Sequence, residues 1–589
     1  MDQVRLRIER KGKEARFSRT LKFFFVPNSS RVQMRRVALL AVCFLLASTA
    51  VHGQQPLSAI VSTEYGLIQG LMDSRFPNVS DFLGVPFAAP PIGQYRFVAP
   101  QPAGTWTGVR NATAWSAGCM NSCGLPRPRF TCTPTVSEDC LYLNVYTPAQ
   151  IPTSAPLPVL AFIHGGGFTA GSGGTPIYEA AKLAFTQNIV VVTFNYRLGV
   201  FGALYLGAEV PGNFMFADQR MALQWVQRNI AAFGGDPSRV TLGGESAGAI
   251  SVGAHMVSPN SQGLFQAAYM SSNPYGLLFQ TVDLALALGA SVLEAAGCSS
   301  TVPVPEQLSC LQGVSADEML AISNNTRNSP WPPQDVLAVL LPWTGVVVPG
   351  SDDVPVQPFL AAGNNSQQLS AGIPILIGTN ANDSIPFVYA LSANPVRQEI
   401  FDVMMAYIFG VFNAIDIRLM YGDAPDADAR VWFSRIATDY IFYCATRNVT
   451  RRLAAGSPGS NIYQYVFGHK PSFAKWMWAA SDNLCVNHIC HADDVPFVFD
   501  NLHVVDEVVP TPSPNERQFI SWLQGAIGEF VREGRMHRDR GWTPYTATSD
   551  SVMWLDDKDA SGQYAAPTMR QGHHDEYCAM YDDMGYNRH

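Results

Sequence analysis

The chain has 589 residues, of which 47% are apolar and 15% are charged, with a formal net charge of −8. This is enough apolar sequence to bury a large core. Residues 1–53 hold 11 Lys and Arg against 3 Asp and Glu, so the remainder has 28 basic and 44 acidic residues and a net charge of −16. That balance excludes charge-driven binding to nucleic acid or to anionic membranes.

The N-terminal segment has the pattern of a secretory signal. Residues 34–36 are Met-Arg-Arg, an apolar run follows at 37–47, and residues 51–53 offer a cleavage site. The run is shorter than the about 20 residues that a transmembrane helix needs. We therefore assign residues 1–53 to a leader and signal peptide, with translation from Met1 or Met34, and residues 54–589 to a single catalytic domain. The alternative is a signal anchor, if the leader is not cleaved.

The next informative segment predicts a strand followed by a glycine-rich turn. Residues 158–163 form a continuous apolar run typical of a buried strand, and residues 164–168 read His-Gly-Gly-Gly-Phe. Only glycine lets the backbone approach a substrate carbonyl so closely, so this turn is typical of an oxyanion hole. Further along, residues 189–194 predict another buried strand and residues 218–233 a helix with apolar residues at helical spacing.

Residues 240–249 predict a strand, a tight turn and a helix around one serine. They read Val-Thr-Leu-Gly-Gly-Glu-Ser-Ala-Gly-Ala, and residues 244–248 match the pattern G-x-S-x-G. In such a nucleophile elbow, a strained turn lifts the serine hydroxyl out of the sheet. The pattern alone arises often by chance, but the strand before it and the helix after it favour the elbow. The amide of Ala247 then faces any negative charge that develops at Ser246.

The remaining hydrophobic runs complete the predicted sheet. Residues 267–270, 374–377 and 463–467 are short apolar runs of the kind found in strands that are covered on both faces. Residues 275–370 and 390–460 are longer insertions, which we expect to be helical and to cap the carboxyl edge of the sheet. The sequence therefore predicts an α/β fold with a large, doubly wound, mostly parallel sheet, helices on both faces and helical cap insertions.

Two residues complete a catalytic triad in the chain order serine, acid, histidine. Asp383 follows the strand predicted at 373–377. His491 lies in the segment 490–499, which reads Cys-His-Ala-Asp-Asp-Val-Pro-Phe-Val-Phe. We assign Ser246 as the nucleophile, His491 as the general base and then acid, and Asp383 as the group that holds the imidazole tautomer. His488 is the alternative histidine.

These motifs, in this order, resemble the type-B carboxylesterase/cholinesterase family of α/β-hydrolases over residues 60–581. The resemblance implies the α/β-hydrolase fold and an oxyanion hole formed by the backbone N–H groups of Gly166, Gly167 and Ala247. Further matching segments are residues 82–91, 96–97, 137–145, 195–197, 218–219, 222–226, 229–230 and 233–237.

The chain departs from the family pattern at four positions near the site. Asp383 stands where the family more often has glutamate, so its loop must lie closer to the histidine, and Ser384 follows it where the family has glycine. Ala492 replaces the usual glycine, and Asp494 replaces the usual glutamate. We expect Glu245 to be structural, because it is adjacent to the nucleophile and should not reach around the imidazole.

The cysteines are consistent with export. Cys43 belongs to the leader, which leaves ten cysteines, an even number that favours disulfides. The spacing of the cysteines and histidines matches no metal site, so we expect neither a metal nor a cofactor. The family resemblance implies the pairs Cys119–Cys140, Cys298–Cys310 and Cys444–Cys578, and proximity favours Cys123–Cys132 and Cys485–Cys490.

Other residues point to surface loops and to structural contacts. Arg96 and Glu138 match a family ion pair that would hold the Cys119–Cys140 loop. Asn382 also fits the glycosylation pattern, but we expect it to stay bare because it adjoins Asp383. The sequons predicted to lie on glycosylated surface loops are Asn78, Asn111, Asn324, Asn364 and Asn448.

Taken together, the sequence predicts a secreted serine carboxylesterase that acts on small-molecule esters through an acyl-serine intermediate. One alternative is a non-catalytic adhesion or structural protein on the same fold, and another is a lipase or thioesterase. Cholinesterases carry a tryptophan in the first disulfide loop, whereas residues 120–139 hold Phe130 and no tryptophan. We therefore expect an uncharged ester rather than a choline ester. Trp476 and Trp478 either line the gorge or pack in the core. The sequence sets no oligomeric state.

Overall fold

A large twisted sheet organises the computed structural model, which describes residues 56–148, 155–325, 340–362, 372–478, 484–504, 509–546, 548–558, 562 and 564–586. The predicted leader and signal segment, 1–53, lies outside the described residues. Within the described ranges, 13 strands form the large sheet, and two pairs of strands form small sheets. The strands are β1 (Leu57–Thr63), β2 (Gly66–Met72), β3 (Val79–Pro86), β4 (Val109–Asn111), β5 (Gly118–Cys119), β6 (Val136–Ser137), β7 (Tyr142–Pro148), β8 (Leu157–Ile163), β9 (Val190–Phe194), β10 (Tyr205–Gly207), β11 (Val210–Pro211), β12 (Gly235–Glu245), β13 (Ala267–Ser271), β14 (Ile375–Asn380), β15 (Ile462–Phe467), β16 (Ser551–Leu555) and β17 (Thr568–Gln571).

The strand order of the large sheet is β1-β2-β3-β7-β9-β8-β12-β13-β14-β15-β16-β17, with β4 paired to β2. Every neighbouring pair from β9 to β16 is parallel. Antiparallel pairs flank this region on both sides. The predicted doubly wound, mostly parallel α/β sheet is therefore confirmed.

The central strands are buried on both faces, which explains their continuous apolar sequences. All seven residues of β8 are buried. Val159, Ala161 and Ile163 belong to one hydrophobic cluster, whereas Leu160 and Phe162 belong to another. Because successive side chains of a strand point to opposite faces, these two clusters are the packed layers on either side of the sheet.

Helices cover both faces and form the insertions. The expected helix at 218–233 begins earlier, at Phe214, and its last four residues form a 3₁₀ turn (Ile230–Phe233). The helices of four or more residues are Pro128–Thr131, Ala181–Gln187, Gly199–Ala203, Phe214–Asn229, Ala247–Val257, Val282–Ala295, Val304–Gly313, Ala316–Asn325, Pro358–Ala361, Ile385–Leu391, Gln398–Phe409, Val411–Tyr421, Arg430–Ala437, Cys444–Gly456, Ala474–Trp478, Val495–Phe499, Pro514–Glu533 and Asp575–Met584.

One of the insertion helices contains a wide turn. Between Arg430–Ala437 and Cys444–Gly456, the six residues Thr438–Tyr443 are π-helical, and all six are buried. Such turns are rare and are often found at functional sites. Here the segment supplies Thr438 and Phe442 to the surroundings of the candidate site.

The structure joins the ten cysteines of residues 119–578 in five disulfides, in the pairs expected from the sequence. Arg96 and Glu138 form the expected ion pair through two hydrogen bonds of 2.6 Å each. Among the helices of the described residues, none is long and apolar enough to cross a membrane.

Candidate active site

Ser246 occupies the turn between β12 and the helix Ala247–Val257. Its backbone angles, φ 57° and ψ −123°, are a conformation that residues with side chains rarely adopt. Two glycines permit the turn: a Cβ atom on Gly244 would lie 2.4 Å from the backbone of Gly248, and a Cβ on Gly248 would lie 2.1 Å from the carbonyl oxygen of Ile163. The expected strand, strained turn and helix are therefore present around Ser246.

The glycine-rich turn after β8 lies against this elbow. A Cβ atom on Gly165 would lie 2.3 Å from Glu245 Oε2 and 3.0 Å from Ser246 Cβ. Gly166 and Gly167 have φ values of 112° and 61°, and the Gly166 carbonyl accepts hydrogen bonds from two amides that follow it. No described residue accepts a hydrogen bond from the amides of Gly166 and Gly167. These two amides are therefore free to bind an oxygen atom beside Ser246.

Asp383 and His491 meet although 108 residues separate them. His491 Nδ1 lies 2.8 Å from Asp383 Oδ1. The other oxygen, Asp383 Oδ2, accepts hydrogen bonds from the Asn380 amide at 2.7 Å and the Ser272 hydroxyl at 3.1 Å. The carboxylate is fully buried, so its orientation is fixed and it accepts the Nδ1–H of the imidazole.

Two aromatic rings enclose the imidazole. The ring centre of His491 lies 4.9 Å from that of Phe387 and 5.4 Å from that of Phe442. Phe442 comes from the π-helical turn, and Thr438 of the same turn accepts a hydrogen bond from the amide of Ser384, beside Asp383. These contacts keep water from the imidazole on that side and give the site an apolar wall.

Asparagine side chains connect the loop of the acid to the loop of the histidine. The backbone amide of Asn382 donates to the carbonyl of Ile489, and the side-chain oxygen of Asn382 accepts from the backbone amide of Ile489. The Asn380 side chain donates to the carbonyl of Cys490 at 2.7 Å. Sequence reasoning missed these contacts, because they join residues more than 100 positions apart and no motif marks them.

The two departures next to His491 have visible consequences. Ala492 has φ 65°, a left-handed conformation that explains why glycine is usual here. Asp494, with its shorter side chain, still finds partners: Ser271 donates to its Oδ2 at 2.5 Å, and Asn380 donates to its Oδ1 at 3.3 Å.

Glu245 does not reach around the imidazole to the nitrogen that Asp383 engages, but it does contact the near side of the ring. Glu245 Oε1 lies 3.2 Å from His491 Nε2, on the side of the ring opposite Asp383. The sharp turn at Ser246 and the missing side chain of Gly165 leave room for this carboxyl group. Glu245 therefore contacts the nitrogen that a serine nucleophile needs as its base.

The charges around His491 shift the pKa values of both groups. Burial raises the pKa of Glu245 to about 8. Burial also disfavours the imidazolium ion, but the carboxyl groups of Glu245 and Asp383 outweigh it and raise the pKa of His491 to about 9. Since the two groups are in contact, they titrate as a pair.

The alternative histidine and the two tryptophans do not contact His491 through any described interaction. His488 is partly exposed, and burial lowers its pKa. Trp476 and Trp478 are buried in the hydrophobic cluster on one face of the sheet. Trp476 packs edge-on against Phe130 at 5.5 Å, and Trp478 donates to Asp493. Both tryptophans are therefore packing residues.

Comparison with known proteins places the whole chain in a family. The sequence profile of the carboxylesterase family matches residues 57–580. The chain belongs to the carboxylesterase family. It is accordingly a serine hydrolase of carboxylic esters, and the family resemblance seen in the sequence is confirmed.

Relatives of this carboxylesterase are known from several kingdoms. It is 31% identical to the para-nitrobenzyl esterase of Bacillus subtilis over 84% of the chain and 94% of that protein. It is 33% identical to human cocaine esterase over 79% of the chain and 82% of that protein. It is also 32% identical to the crystal protein of Dictyostelium discoideum over 94% of the chain and 98% of that protein.

Solved structures agree with these relationships. The carboxylesterase superposes on a PNB esterase with a TM-score of 0.71 and 29% identity, and on a thermophilic PNB esterase with a TM-score of 0.73 and 28% identity. Each comparison covers 88% of this chain and 99% of the other. The likeness thus extends over most of this chain and nearly all of each esterase.

Proposed function

We propose that this carboxylesterase is an active, secreted enzyme in which Ser246, His491 and Asp383 form the catalytic triad. The observation that carries the proposal is the 2.8 Å contact between His491 Nδ1 and Asp383 Oδ1. With Nδ1 engaged by the acid, Nε2 is the nitrogen left to accept a proton. That nitrogen lies 3.2 Å from Glu245, the residue before Ser246, so the imidazole faces the elbow.

The reaction would be a two-step acyl transfer. His491 Nε2 accepts the Ser246 proton as Oγ attacks the ester carbonyl, and the resulting imidazolium then protonates the departing alcohol. A water molecule, deprotonated by the same nitrogen, then attacks the acyl-serine, and the imidazolium gives the proton to Oγ as the carboxylic acid leaves. Asp383 keeps the proton on Nδ1 and stabilises the imidazolium through both steps.

The negative charge on the carbonyl oxygen would be held by the amides of Gly166, Gly167 and Ala247. The first two have no acceptor among the described residues. Ala247 begins its helix, so its amide has no acceptor within that helix, and the helix dipole favours an anion at this end. Each amide of this kind is typically worth about 10²–10³ in rate.

We propose an uncharged carboxylic ester as the substrate. The uncharged rings of Phe387 and Phe442 border the imidazole and would pack against an uncharged ester. The disulfide loop between Cys119 and Cys140 has no tryptophan to bind a quaternary ammonium group, and its Phe130 is buried against Trp476.

Export is also part of the proposal. Five disulfides are typical of oxidising compartments. With the signal-like pattern at 34–53, they support secretion of residues 54–589 as one catalytic domain. Exposed Asn78, Asn111 and Asn324 support glycosylation, whereas Asn448 is partly buried and donates to Asp582. Asn364 lies outside the described residues.

Labelling by a fluorophosphonate tests the activity directly. Wild-type protein should be labelled and should hydrolyse p-nitrophenyl esters, whereas Ser246→Ala should do neither. Ser291→Ala, an exposed serine on a helix, serves as the matched control. A non-catalytic adhesion protein would give an unlabelled wild type, and equal labelling of Ser246→Ala would remove Ser246 from the site. Esters of graded chain length would separate a carboxylesterase from a lipase, and thioesters would reveal a thioesterase.

A further inference from the structure

A second group of charged residues lies at the carboxyl edge of the sheet, beyond strands that the triad does not use. His469 follows β15 by two residues, and Asp556 and Asp557 directly follow β16. The two strands are parallel neighbours, and the Gly468 amide donates to the carbonyl of Leu555 at 2.8 Å. This pairing brings the three side chains together.

The three side chains converge with one nitrogen and two oxygens. His469 Nδ1 lies 3.1 Å from Asp557 Oδ1 and 3.4 Å from Asp556 Oδ1. All three atoms lie within 4.8 Å of one another. A zinc ion with ligands at about 2.0–2.1 Å in tetrahedral geometry requires its ligand atoms to be roughly 3.3 Å apart. The observed separations of 3.1 and 3.4 Å are close to that value.

Asp557 is the second observation that points to a ligand. Its side chain is fully buried, and neither of its oxygens has a hydrogen-bond partner among the described residues. The nearest charged groups are the His469 imidazole and, at 3.8 Å from Oδ1, the Lys558 ammonium. A buried carboxylate without hydrogen bonds is costly unless a cation coordinates it.

The far side of His469 has the partner that metal-binding histidines usually have. Its Nε2 lies 3.2 Å from Glu516 Oε1. That carboxylate also accepts the amides of Ser472 at 2.7 Å and Ser513 at 2.8 Å, at the N-terminus of the helix Pro514–Glu533. A carboxylate that accepts one ring N–H fixes the tautomer, so that the other nitrogen, here Nδ1, carries the lone pair for a metal.

A second cluster of buried carboxylates contains an arginine, although Asp81 Oδ1 and Glu179 Oε2 also lack hydrogen-bond partners there among the described residues. Asp73, Asp81 and Glu179 also lie within 4.8 Å of one another. There, the guanidinium of Arg75 binds Asp73 and lies 2.8 Å from Glu179. That cluster already contains its cation. The cluster at His469 has three carboxylates, including Glu516, around a single imidazole.

We propose that His469, Asp556 and Asp557 bind a divalent transition-metal ion of the zinc type. A nitrogen and two carboxylate oxygens suit zinc, whereas calcium and magnesium prefer oxygen ligands alone. The half-exposed Asp556, with 32% of its side chain accessible, gives the ion a path to the site. The ion would join the ends of β15 and β16 to the start of the helix Pro514–Glu533, a structural role separate from the triad.

The test measures metal content and heat stability of the full-length secreted protein without a histidine tag. The protein is treated with a chelator, dialysed against zinc chloride and analysed by inductively coupled plasma mass spectrometry. We expect one zinc per chain and a melting temperature that rises with zinc concentration. Asp557→Asn and Asp556→Asn should each lose the bound zinc and the rise in melting temperature with zinc. Asp556→Asn should disturb the fold less, because the Asp556 side chain is partly exposed. Asp81→Asn, in the cluster filled by Arg75, should retain both.

A second variant tests the role of Glu516. Glu516→Gln preserves the shape of the helix cap and should weaken zinc binding by about 10-fold or more, as measured by calorimetry. Hydrolysis of a p-nitrophenyl ester reports that each variant is folded. A wild-type protein that binds no zinc, or an Asp557→Asn protein that binds it equally, would overturn the proposal and leave an imidazolium ion as the cation of the cluster.

Discussion

The contact between Glu245 and His491 predicts how activity responds to pH. His491 can act as a base only when it is neutral, so kcat/KM rises with pH through the pKa of the imidazole. The carboxyl groups beside it raise that pKa to about 9. The rising limb of the wild-type profile should therefore lie above the usual histidine pKa of about 6.5.

Glu245→Gln removes one of these charges and keeps the size of the side chain. Two unit charges 3.2 Å apart attract by roughly 5 kcal/mol at an effective dielectric constant of about 20, which sets an upper limit. Asp383 and Asp494 remain, and the raised pKa of Glu245 leaves that group partly neutral where the imidazole titrates, so the net change is smaller. Since one pKa unit corresponds to about 1.4 kcal/mol, we expect the rising limb to move to lower pH by fewer than about four units.

The assay is kcat/KM for an uncharged ester between about pH 5 and 10, with the product followed at a wavelength that does not depend on pH. Glu294→Gln, an exposed change of the same charge, is the control and should leave the limb in place. If the limbs of Glu245→Gln and wild type coincide, the carboxyl group does not act on the imidazole and the reasoning fails.

Three further changes test the remaining parts of the site. Asp383→Asn should lower kcat by roughly 10⁴, because the amide favours the wrong imidazole tautomer; unchanged kcat in an ester assay would assign the acid elsewhere. Gly166→Ala should reduce kcat far more than Gly167→Ala, because a new Cβ would lie 2.3 Å from the Ala170 carbonyl at the first position but 3.6 Å from its nearest neighbour at the second; equal losses would contradict this geometry. Ala492→Gly should stabilise the fold by about 0.5–1 kcal/mol in a urea titration, because glycine adopts φ 65° without strain; a lower midpoint would show that the alanine side chain contributes more than the strain costs.

The parts of the fold that sequence could predict are those in which one local pattern decides the structure. The strands β8, β9 and β13 are continuous apolar runs because both faces are covered, and their predicted bounds differ from the observed ones by two residues or fewer. The outer strands gave no such signal. In β1, for example, the residues are mostly exposed, and in β16 the five residues Ser551–Leu555 are too few to show a period.

The site divides in the same way. The pattern around Ser246 and the order of the acid and the histidine follow from local motifs, and the structure brings Asp383 and His491 within hydrogen-bond distance. The role of Glu245 could not be predicted, because spacing along the chain says nothing about a side chain at a turn with φ 57°. The cluster at His469 escaped prediction because its aspartates follow a strand, β16, that the sequence did not reveal.

The wide turn at Thr438–Tyr443 has a consequence for naturally varying or engineered forms of this chain. A helix that closes each turn over five residues instead of four carries one residue more than a regular helix of the same path. Deleting one residue there would leave an unbroken α-helix along the same path, so the segments on either side would keep their positions. Cys444 would stay opposite Cys578, whereas the side chains inside the turn, Phe442 among them, would be reset relative to the imidazole. The extra residue of this segment therefore matters to the surroundings of His491 and not to the longest disulfide loop.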